Sequence, residues 1–259
     1  MRSDDRDLAA GTYASKQLFG GCSILSWSHR RRFETALELV APGGGRPLLD
    51  YGCGDGTFLA LAHERFPNSV GLEVDPGLVR TCTARFGHLK GVRFLLADEA
   101  DALPAASFGT VLCTEVLEHC LPDAADAALA RMRRLVMPDG RVVISVPVET
   151  GLPLVVKQAA RAVAARRVSS DYRHRERYGF GEFLRMLAPG DRQPVERPVY
   201  ETAFETGVPN RYHGHKGFNW RAMRDRVAER FHVTETHFSP VSALGPQFAS
   251  QAWFVCVPR

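Results

Sequence analysis

A glycine-rich loop between a short apolar strand and a helix is the feature that most constrains this fold. The string LLDYGCGDGTF spans residues 48–58 and places Gly52, Gly54 and Gly56 at alternate positions. Because glycine has no side chain and tolerates positive φ, such a loop lets a ligand approach the backbone at the start of a helix. The chain is therefore expected to hold a ligand between its first strand and the following helix.

Strands and amphipathic helices alternate on both sides of this loop. The apolar periodicity predicts strands over 46–51, 69–74, 92–96, 110–114, 142–146, 231–237 and 251–257, and helices over 31–40, 56–66, 76–86, 123–136 and 219–227. The link between the last two strands is too short for a covered crossover, so these strands are expected to be antiparallel. The pattern predicts an α/β, Rossmann-like, doubly wound sheet of seven mostly parallel strands with one antiparallel strand.

Acidic residues at the ends of the first three strands indicate the kind of ligand. Asp50 ends the first strand, Glu73 follows Gly56 by seventeen residues at the end of the second, and Asp98 ends the third. A pyrophosphate-binding loop reads G-x-G-x-x-G, whereas this loop reads G-x-G-x-G after an acid. The acid favours a ligand with an ammonium and a sulfonium, while Glu73 is placed for ribose hydroxyls and Asp98 for an adenine amino group.

On these residues, the segment from Leu48 to Pro147 resembles the class I S-adenosylmethionine-dependent methyltransferases, particularly their ubiquinone-biosynthesis-like O-methyltransferase branch. The resemblance extends more weakly through the final helix and strands, and the chain departs from it at Gly109, where the family usually has Asp. It implies S-adenosylmethionine as cofactor, with Asp50, Gly52 and Gly54 on the methionine moiety. It also implies adenine contacts from Asp98 with Glu99 or Ala100, and sulfonium contacts from Cys113 and Thr114. The expected cofactor site comprises Asp50, Gly52, Cys53, Gly54, Glu73, Val74, Asp98, Glu99, Cys113 and Thr114.

The predicted domain boundaries follow from this reading. Residues 1–40 form an N-terminal helical segment, 41–150 the cofactor-binding core, 151–215 an insertion over the acceptor site, and 216–259 the last helix and two strands. The insertion is expected because regular alternation stops after Pro147 for about seventy residues, a length unusual for a simple connection.

The string TEVLEH after the fourth strand predicts a candidate metal site. If a helical turn begins there, Glu115, Glu118 and His119 share one face and offer two carboxylates and an imidazole. A divalent cation such as Mg²⁺ would chelate a diol and lower the pKa of the acceptor hydroxyl. The alternative is that these glutamates line the cleft or form ion pairs without metal.

Three histidines are candidates for the catalytic base. His215 is the first choice, because it precedes the last crossover helix and is expected to border the acceptor side of the cleft. His119 and His174 are the other two candidates. The alternative for each is a surface or helix-capping histidine.

The insertion is basic, with ten Lys or Arg and five Asp or Glu between Gly151 and Arg197. Leu152, Val155, Val156, Ala159 and Val163 recur at helical spacing, with Lys157 and several arginines mostly off that face. We expect residues 152–167 to form either a lid over the acceptor or a basic amphipathic helix at a membrane surface, which would collect a lipid-linked acceptor.

Composition limits the remaining alternatives. The chain is 45% hydrophobic and 24% charged, lacks an 18-residue apolar run or a signal-peptide pattern, and has six cysteines without a C-x-x-C pair. It is expected to be cytoplasmic, or peripheral to the inner membrane face. The favoured function is O-methylation of a small or lipid-linked acceptor. A ribose 2′-O-methyltransferase acting on RNA, an NAD-dependent oxidoreductase and a non-catalytic cofactor-binding protein are weaker alternatives, and two tyrosines in the basic segment give little support for nucleic acid as a partner.

Overall fold

A computed structural model describes residues 23–167, 177–190, 192 and 194–259. The helices are α1 (Ser23–Val40), α2 (Thr57–Ala62), α3 (Pro76–Phe86), α4 (Pro122–Leu135), α5 (Gly151–Arg167), α6 (Phe180–Leu187) and α7 (Trp220–Ala228). The strands are β1 (Leu48–Tyr51), β2 (Ser69–Glu73), β3 (Val92–Leu96), β4 (Phe108–Thr114), β5 (Val136–Pro147), β6 (Val199–Ala203), β7 (Pro209–His213), β8 (Phe231–Ser239) and β9 (Gln251–Pro258).

Seven strands form one sheet in the order β3-β2-β1-β4-β5-β9-β8. β9 runs antiparallel to both of its neighbours, and the other neighbouring strands pair in parallel. The predicted doubly wound α/β fold with one antiparallel strand is therefore confirmed. Because the chain runs outward from β1 to β3 and then returns to β4, the strand order reverses between β1 and β4, where open sheets of this kind bind ligands.

Helices cover both faces of the sheet. Leu48 packs in a cluster with residues of α1, α2 and α3, whereas its neighbour Leu49 packs on the opposite face with residues of α4 and α7. All four residues of β1 are buried, as expected for a central parallel strand with both faces covered. This packing fixes the carboxyl end of β1 in the middle of the molecule.

Helix starts follow local capping chemistry. α3 begins as predicted: Asp75 accepts a hydrogen bond from the Gly77 amide at 2.7 Å, and Pro76 occupies the first position. The helix predicted over 123–136 begins one residue earlier, at Pro122: its N-cap residue is Leu121, and Asp123 lies in the first turn. The fixed φ of Pro122 suits the first position of a helix, so α4 starts there and not at residue 123.

The insertion contributes α5, α6 and a two-stranded hairpin, β6–β7. In α5, three residues of the predicted apolar face, Leu152, Val155 and Val156, are exposed, while Leu154 is fully buried. Lys157, predicted to lie off that apolar face, donates to Glu149 at 3.0 Å. No helix in the described part of the chain is long and apolar enough to span a membrane.

Candidate cofactor and acceptor site

A cavity of about 650 Å³ lies at the carboxyl ends of β1, β2 and β4. This position is the reversal of strand order, and the volume is in the range that encloses a whole small-molecule ligand. The described residues that line it from the sheet and its loops include Asp50, Tyr51, Gly52, Cys53, Gly54, Asp55, Leu72, Glu73, Val74, Ala97, Thr114, Glu115, Val116 and His119.

The glycine-rich loop is shaped by close packing on one side and open space on the other. Gly52 has φ +83°, and a β-carbon there would meet Cγ2 of Val116 at 2.3 Å. The Gly52 and Cys53 amides donate to the Leu72 carbonyl at 2.8 and 2.9 Å, which ties the loop to β2. Gly54 has φ +55° with no atom within 4 Å of a β-carbon position, so its open side is left to a ligand.

Glu73 supports the loop as well as lining the cavity. Its Oε2 accepts from the Gly54 amide at 2.9 Å, and its Oε1 accepts from the Val74 and Asp75 amides at 2.8 and 3.2 Å. The residue is buried. The side chain predicted to bind ribose therefore also holds the backbone of the glycine-rich loop.

Asp50 is a buried carboxyl group with an unsatisfied oxygen. It is 1% exposed, and Oδ1 has no hydrogen-bond partner within the described part of the chain. Burial raises the pKa of Asp50 from its ordinary value to about 8, and the nearby Glu73 carboxylate adds to the shift. An unsatisfied buried acid destabilises a protein by itself, so its placement in a cavity indicates a cationic or donating ligand.

The remaining residues predicted for the cofactor divide into two groups. Val74 and Thr114 line the cavity, as does Cys53. Asp98 and Glu99 are exposed outside the lining, and Glu99 accepts from the Leu96 amide at 2.7 Å as a cap of the next turn.

Cys113 does not lie at the cavity. It is fully buried in the core cluster on the α4 and α7 side. Since successive side chains of a strand point to opposite faces, only its neighbour Thr114 reaches the cavity. The predicted contact of Cys113 with the sulfonium stays a prediction.

The metal prediction for the TEVLEH segment is not supported. No group of three or more His, Cys, Asp or Glu side chains among the residues seen in the structure is arranged to hold a metal ion. Glu115 adopts φ +56°, which interrupts the helical geometry that would have aligned Glu115, Glu118 and His119. Glu115 instead pairs with Arg32 at 3.5 Å.

Glu118 faces the interior rather than a metal. It is fully buried, and neither carboxylate oxygen has a hydrogen-bond partner among the residues that the structure describes. Burial raises its pKa well above the ordinary value, with a further contribution from Glu115. Glu118 Oε1 lies 3.8 Å from Nε2 of His119, which is within ion-pair distance.

The structure brings two of the three candidate histidines together. His119 lines the cavity, and its ring lies 5.1 Å from the ring of His215 with an interplanar angle of 78°. His119 Nδ1 lies 2.9 Å from the His213 carbonyl oxygen. Burial lowers the pKa of His119 below its ordinary value. His174 lies outside the described residues.

One whole side of the cavity consists of residues that the sequence did not predict for it. The residues opposite the glycine-rich loop come from α1 and from the β6–β7 hairpin, namely Arg32, Phe33, Ala36, Thr202, Asn210, Arg211 and Tyr212. The tip of the hairpin also reaches α3, where Glu205 lies 3.8 Å from Arg80. The hairpin therefore covers this side of the crevice, and residues 151–159 of α5, whose side chains the structure describes, do not line it. The alternation of Tyr200, Thr202 and then Asn210, Tyr212 is the signal that could have indicated a hairpin.

The matched protein family agrees with this geometry. Residues 49–144 match the family model of a methyltransferase domain, which spans β1 to β5 and all of the glycine-rich loop. Over these residues the chain is similar to that family, and the sheet order described above is the Rossmann-like fold that its structural neighbours share.

Curated relatives extend the match over about half of each chain. An uncharacterized methyltransferase of Mycobacterium bovis is 31% identical over 119 residues, covering 46% of this chain and 59% of that protein. The nocamycin O-methyltransferase of Saccharothrix syringae is 40% identical over 118 residues, covering 43% and 41%. A trans-aconitate 2-methyltransferase of Methylobacterium radiotolerans is 34% identical over 131 residues, covering 50% and 46%. The chain therefore spans only about half the length of these relatives.

Solved structures share the fold over nearly the whole chain. A protein of Pyrococcus horikoshii superposes with a TM-score of 0.58 at 14% identity, covering 95% of this chain and 98% of that one. The N-methyltransferase NodS of Bradyrhizobium japonicum, in complex with S-adenosyl-L-homocysteine, superposes with a TM-score of 0.56 at 12% identity, covering 99% and 97%. At such identities the likeness concerns the fold alone.

Proposed function

We propose that this protein is an S-adenosylmethionine-dependent methyltransferase that methylates an oxygen of a small-molecule acceptor. The observation that carries the proposal is the buried Asp50 carboxyl group, whose Oδ1 is unsatisfied and which lines the cavity beside the open face of Gly54. A cationic amino acid moiety favours the ionised form of such an acid and satisfies its free oxygen, whereas a pyrophosphate would gain nothing from an ionised acid beside it.

The residues present fit this cofactor. Asp50 would hold its ammonium group, the open backbone at Gly54 would lie against its methionine moiety, and Glu73 would accept from its ribose hydroxyls. When bound, S-adenosylmethionine supplies a methyl group on a sulfonium, and transfer to oxygen leaves a thioether and releases the acceptor proton. The chain's own task is to position the acceptor, exclude water and take up that proton.

His119 is the residue best placed to take the proton. A carbonyl oxygen can only accept, so the contact with the His213 carbonyl at 2.9 Å places a proton on His119 Nδ1. In the neutral imidazole, Nε2 is then the unprotonated nitrogen. The lowered pKa keeps the ring neutral near pH 7, which leaves Nε2 available as a base at the cavity wall.

The acceptor side supports a small molecule. Its walls come from α1 and the hairpin, and they combine the aromatic Phe33 and Tyr212 with the polar Asn210 and Thr202. The relative with 40% identity is named an O-methyltransferase, which favours oxygen as the acceptor atom. The ubiquinone-biosynthesis-like branch and the RNA alternative receive no support from the named relatives.

The proposal is tested first by binding and then by a screen. Isothermal calorimetry is expected to detect S-adenosylhomocysteine binding and no NADH binding. Mass spectrometry of hydroxylated and carboxylated acceptors incubated with the protein and S-adenosylmethionine should then reveal a gain of one methyl group.

With an acceptor so identified, His119→Gln is expected to lower kcat by about 10²- to 10⁴-fold, because general-base catalysis contributes on that order. Binding of NADH instead of S-adenosylhomocysteine would refute the proposal.

A second proposal concerns peripheral membrane contact and a lipid-linked acceptor. Its support is three exposed apolar side chains on the contacting helices α5 and α6: Val156, Phe180 and Leu184 are 59%, 82% and 50% exposed. Arg185 of α6 is also exposed, and exposed apolar side chains with a basic residue beside them suit an anionic bilayer. We expect wild type to co-sediment with phosphatidylserine vesicles at low salt, and Val156→Asp with Leu184→Asp to abolish this. If wild type stays in the supernatant, the membrane proposal fails, while the methyltransferase proposal is unaffected.

A further inference from the structure

A buried acid beside His215 is not accounted for by the cofactor or the acceptor. Glu149 follows β5, is 1% exposed and is absent from the cavity lining. Its Oε1 lies 3.4 Å from Nδ1 of His215 and 3.0 Å from Nζ of Lys157. A carboxylate beside one ring nitrogen can fix the tautomer and orientation of an imidazole.

Lys157 holds Glu149 in its ionised form. Its ammonium group donates to the carbonyls of Val148 and Ser250 at 3.0 and 3.2 Å, in addition to Glu149. All three ammonium donors are thus used, and the charge cannot move away from the carboxylate. A fixed positive charge at 3.0 Å favours the ionised carboxylate despite its burial.

The ionised Glu149 sets the protonation pattern of His215. His215 Nδ1 is buried and makes no hydrogen bond within the described residues, and the Glu149 carboxylate lies 3.4 Å from it. Because an ionised carboxylate can only accept, Nδ1 is the nitrogen expected to carry the proton. In neutral His215 the lone pair is then on Nε2. The His215 ring centroid lies 5.1 Å from that of His119, which lines the cavity. The His215 side chain is also 32% exposed, so it contacts both the cavity wall and solvent.

We propose that Glu149 holds His215 as a second proton acceptor, which receives from His119 the proton that the methyl acceptor loses. This inference rests on the proposed methyl transfer to oxygen. The acceptor O–H bond breaks and an N–H bond forms at His119 Nε2. That N–H bond then breaks as one forms at His215 Nε2, directly or through one water, and solvent takes the proton from His215. Glu149 is a positioning residue in this path, since it acts through His215.

The tautomer of His215 tests the positioning without any turnover. In protein labelled with ¹⁵N in its histidine rings, we expect neutral His215 to favour the Nδ1–H tautomer roughly tenfold, because a carboxylate 3.4 Å from Nδ1 favours a proton on that nitrogen. Glu149→Gln should remove this preference, since the amide can donate as well as accept. Equal tautomer populations in wild type, or no change in Glu149→Gln, would overturn the proposal.

A matched control separates this site from a generic Glu–His pair. Glu235 lies 2.7 Å from His237 Nε2 on β8, an exposed pair away from the cavity. Glu235→Gln should alter the ring signals of His237 alone. It is expected to leave S-adenosylhomocysteine binding and turnover unchanged, because neither residue lines the cavity.

Turnover with the acceptor from the screen tests the proton path. Glu149→Gln is expected to lower kcat about tenfold or more, with the acceptor KM and the S-adenosylhomocysteine Kd within about threefold of wild type. His215→Ala should show a similar loss and recover activity with added imidazole, which a purely structural role would not allow. Unchanged kcat in both variants would refute the path. If wild type does not bind S-adenosylhomocysteine, the proposed function is refuted. The tautomer measurement on His215 does not depend on that outcome.

Discussion

Replacing Asp50 with Asn is expected to weaken S-adenosylhomocysteine binding by about 10- to 100-fold. A hydrogen-bonded contact with a charged group contributes roughly 1.5–3 kcal/mol, and each 1.4 kcal/mol corresponds to about tenfold in affinity. The amide has nearly the same shape as the carboxyl group, so the loop should keep its conformation. Calorimetry measures the loss directly. An unchanged Kd would mean that Asp50 does not contact the ligand.

The raised pKa of Asp50 adds a proton signature to this prediction. With a pKa of about 8, Asp50 is mostly protonated at pH 7 without ligand, and an ammonium group bound beside it would favour ionisation. Binding at pH 7 should therefore release up to one proton, and affinity should rise as pH increases towards 8. Calorimetry in buffers of different ionisation enthalpy measures the release, which should disappear in Asp50→Asn.

The same shift predicts how folding stability depends on this acid. Because the folded-state pKa of about 8 exceeds the ordinary value of 3.8, the folded protein binds the proton more tightly than the unfolded chain does. This contribution is complete below pH 3.8 and is lost as pH rises towards 8. At neutral pH, Asp50→Asn should therefore raise Tm while weakening ligand binding. A lower Tm would contradict this prediction and would indicate that the substitution had disturbed the fold.

Gly54→Ala is the second substitution expected to have a large effect on ligand affinity. Its β-carbon would meet no protein atom within 4 Å, so it would project into the space available to the ligand. We expect Kd for S-adenosylhomocysteine to rise by about tenfold or more, because overpacking in a filled site is typically unfavourable by 1–3 kcal/mol. Calorimetry and a thermal melt of the same preparation provide the measurement.

Gly45→Ala is the matched control for backbone strain. Gly45 also has positive φ, +85°, and open space around its β-carbon position, but it precedes β1 and does not line the cavity. Both alanine variants should lose about 1–2 kcal/mol of folding stability, the usual effect of a left-handed conformation. Only Gly54→Ala should lose affinity. If both variants lost affinity equally, backbone strain and not ligand contact would be the cause.

The sheet could be predicted from sequence because its signals are local. The boundaries of α3 follow from Asp75 and Pro76, and β3 follows from apolar alternation and flanking turns. The antiparallel last strand followed from a short link. Each of these depends on residues within a few positions of one another, which is the range that a sequence pattern covers.

The cofactor side of the cavity was predictable for the same reason. Five consecutive positions contain Asp50, Gly52 and Gly54, and Glu73 ends the next strand. Chain order alone therefore brings these residues to one crevice. The metal prediction had no such support, because it assumed a helical turn. The positive φ of Glu115 and its pairing with Arg32, 83 positions earlier in the chain, depend on tertiary packing.

The acceptor side could not be predicted because its members come together only in the folded chain. Arg32 lies on an ordinary amphipathic helix, and Tyr212 on a hairpin with largely exposed strands. Glu149 has no motif around it, and its role becomes visible only through the ammonium of Lys157 and the imidazole of His215. Such contacts between distant segments leave no periodic pattern in the sequence.

Glu73 has a structural role in the glycine-rich loop in addition to its proposed contact with ribose. Its oxygens already satisfy the amides of Gly54, Val74 and Asp75 in the absence of any ligand. Shortening it by one methylene would withdraw the carboxylate from the Gly54 amide and loosen the loop before any ribose contact was lost. Natural variation at position 73 should accordingly be narrower than at a position that serves the nucleoside alone.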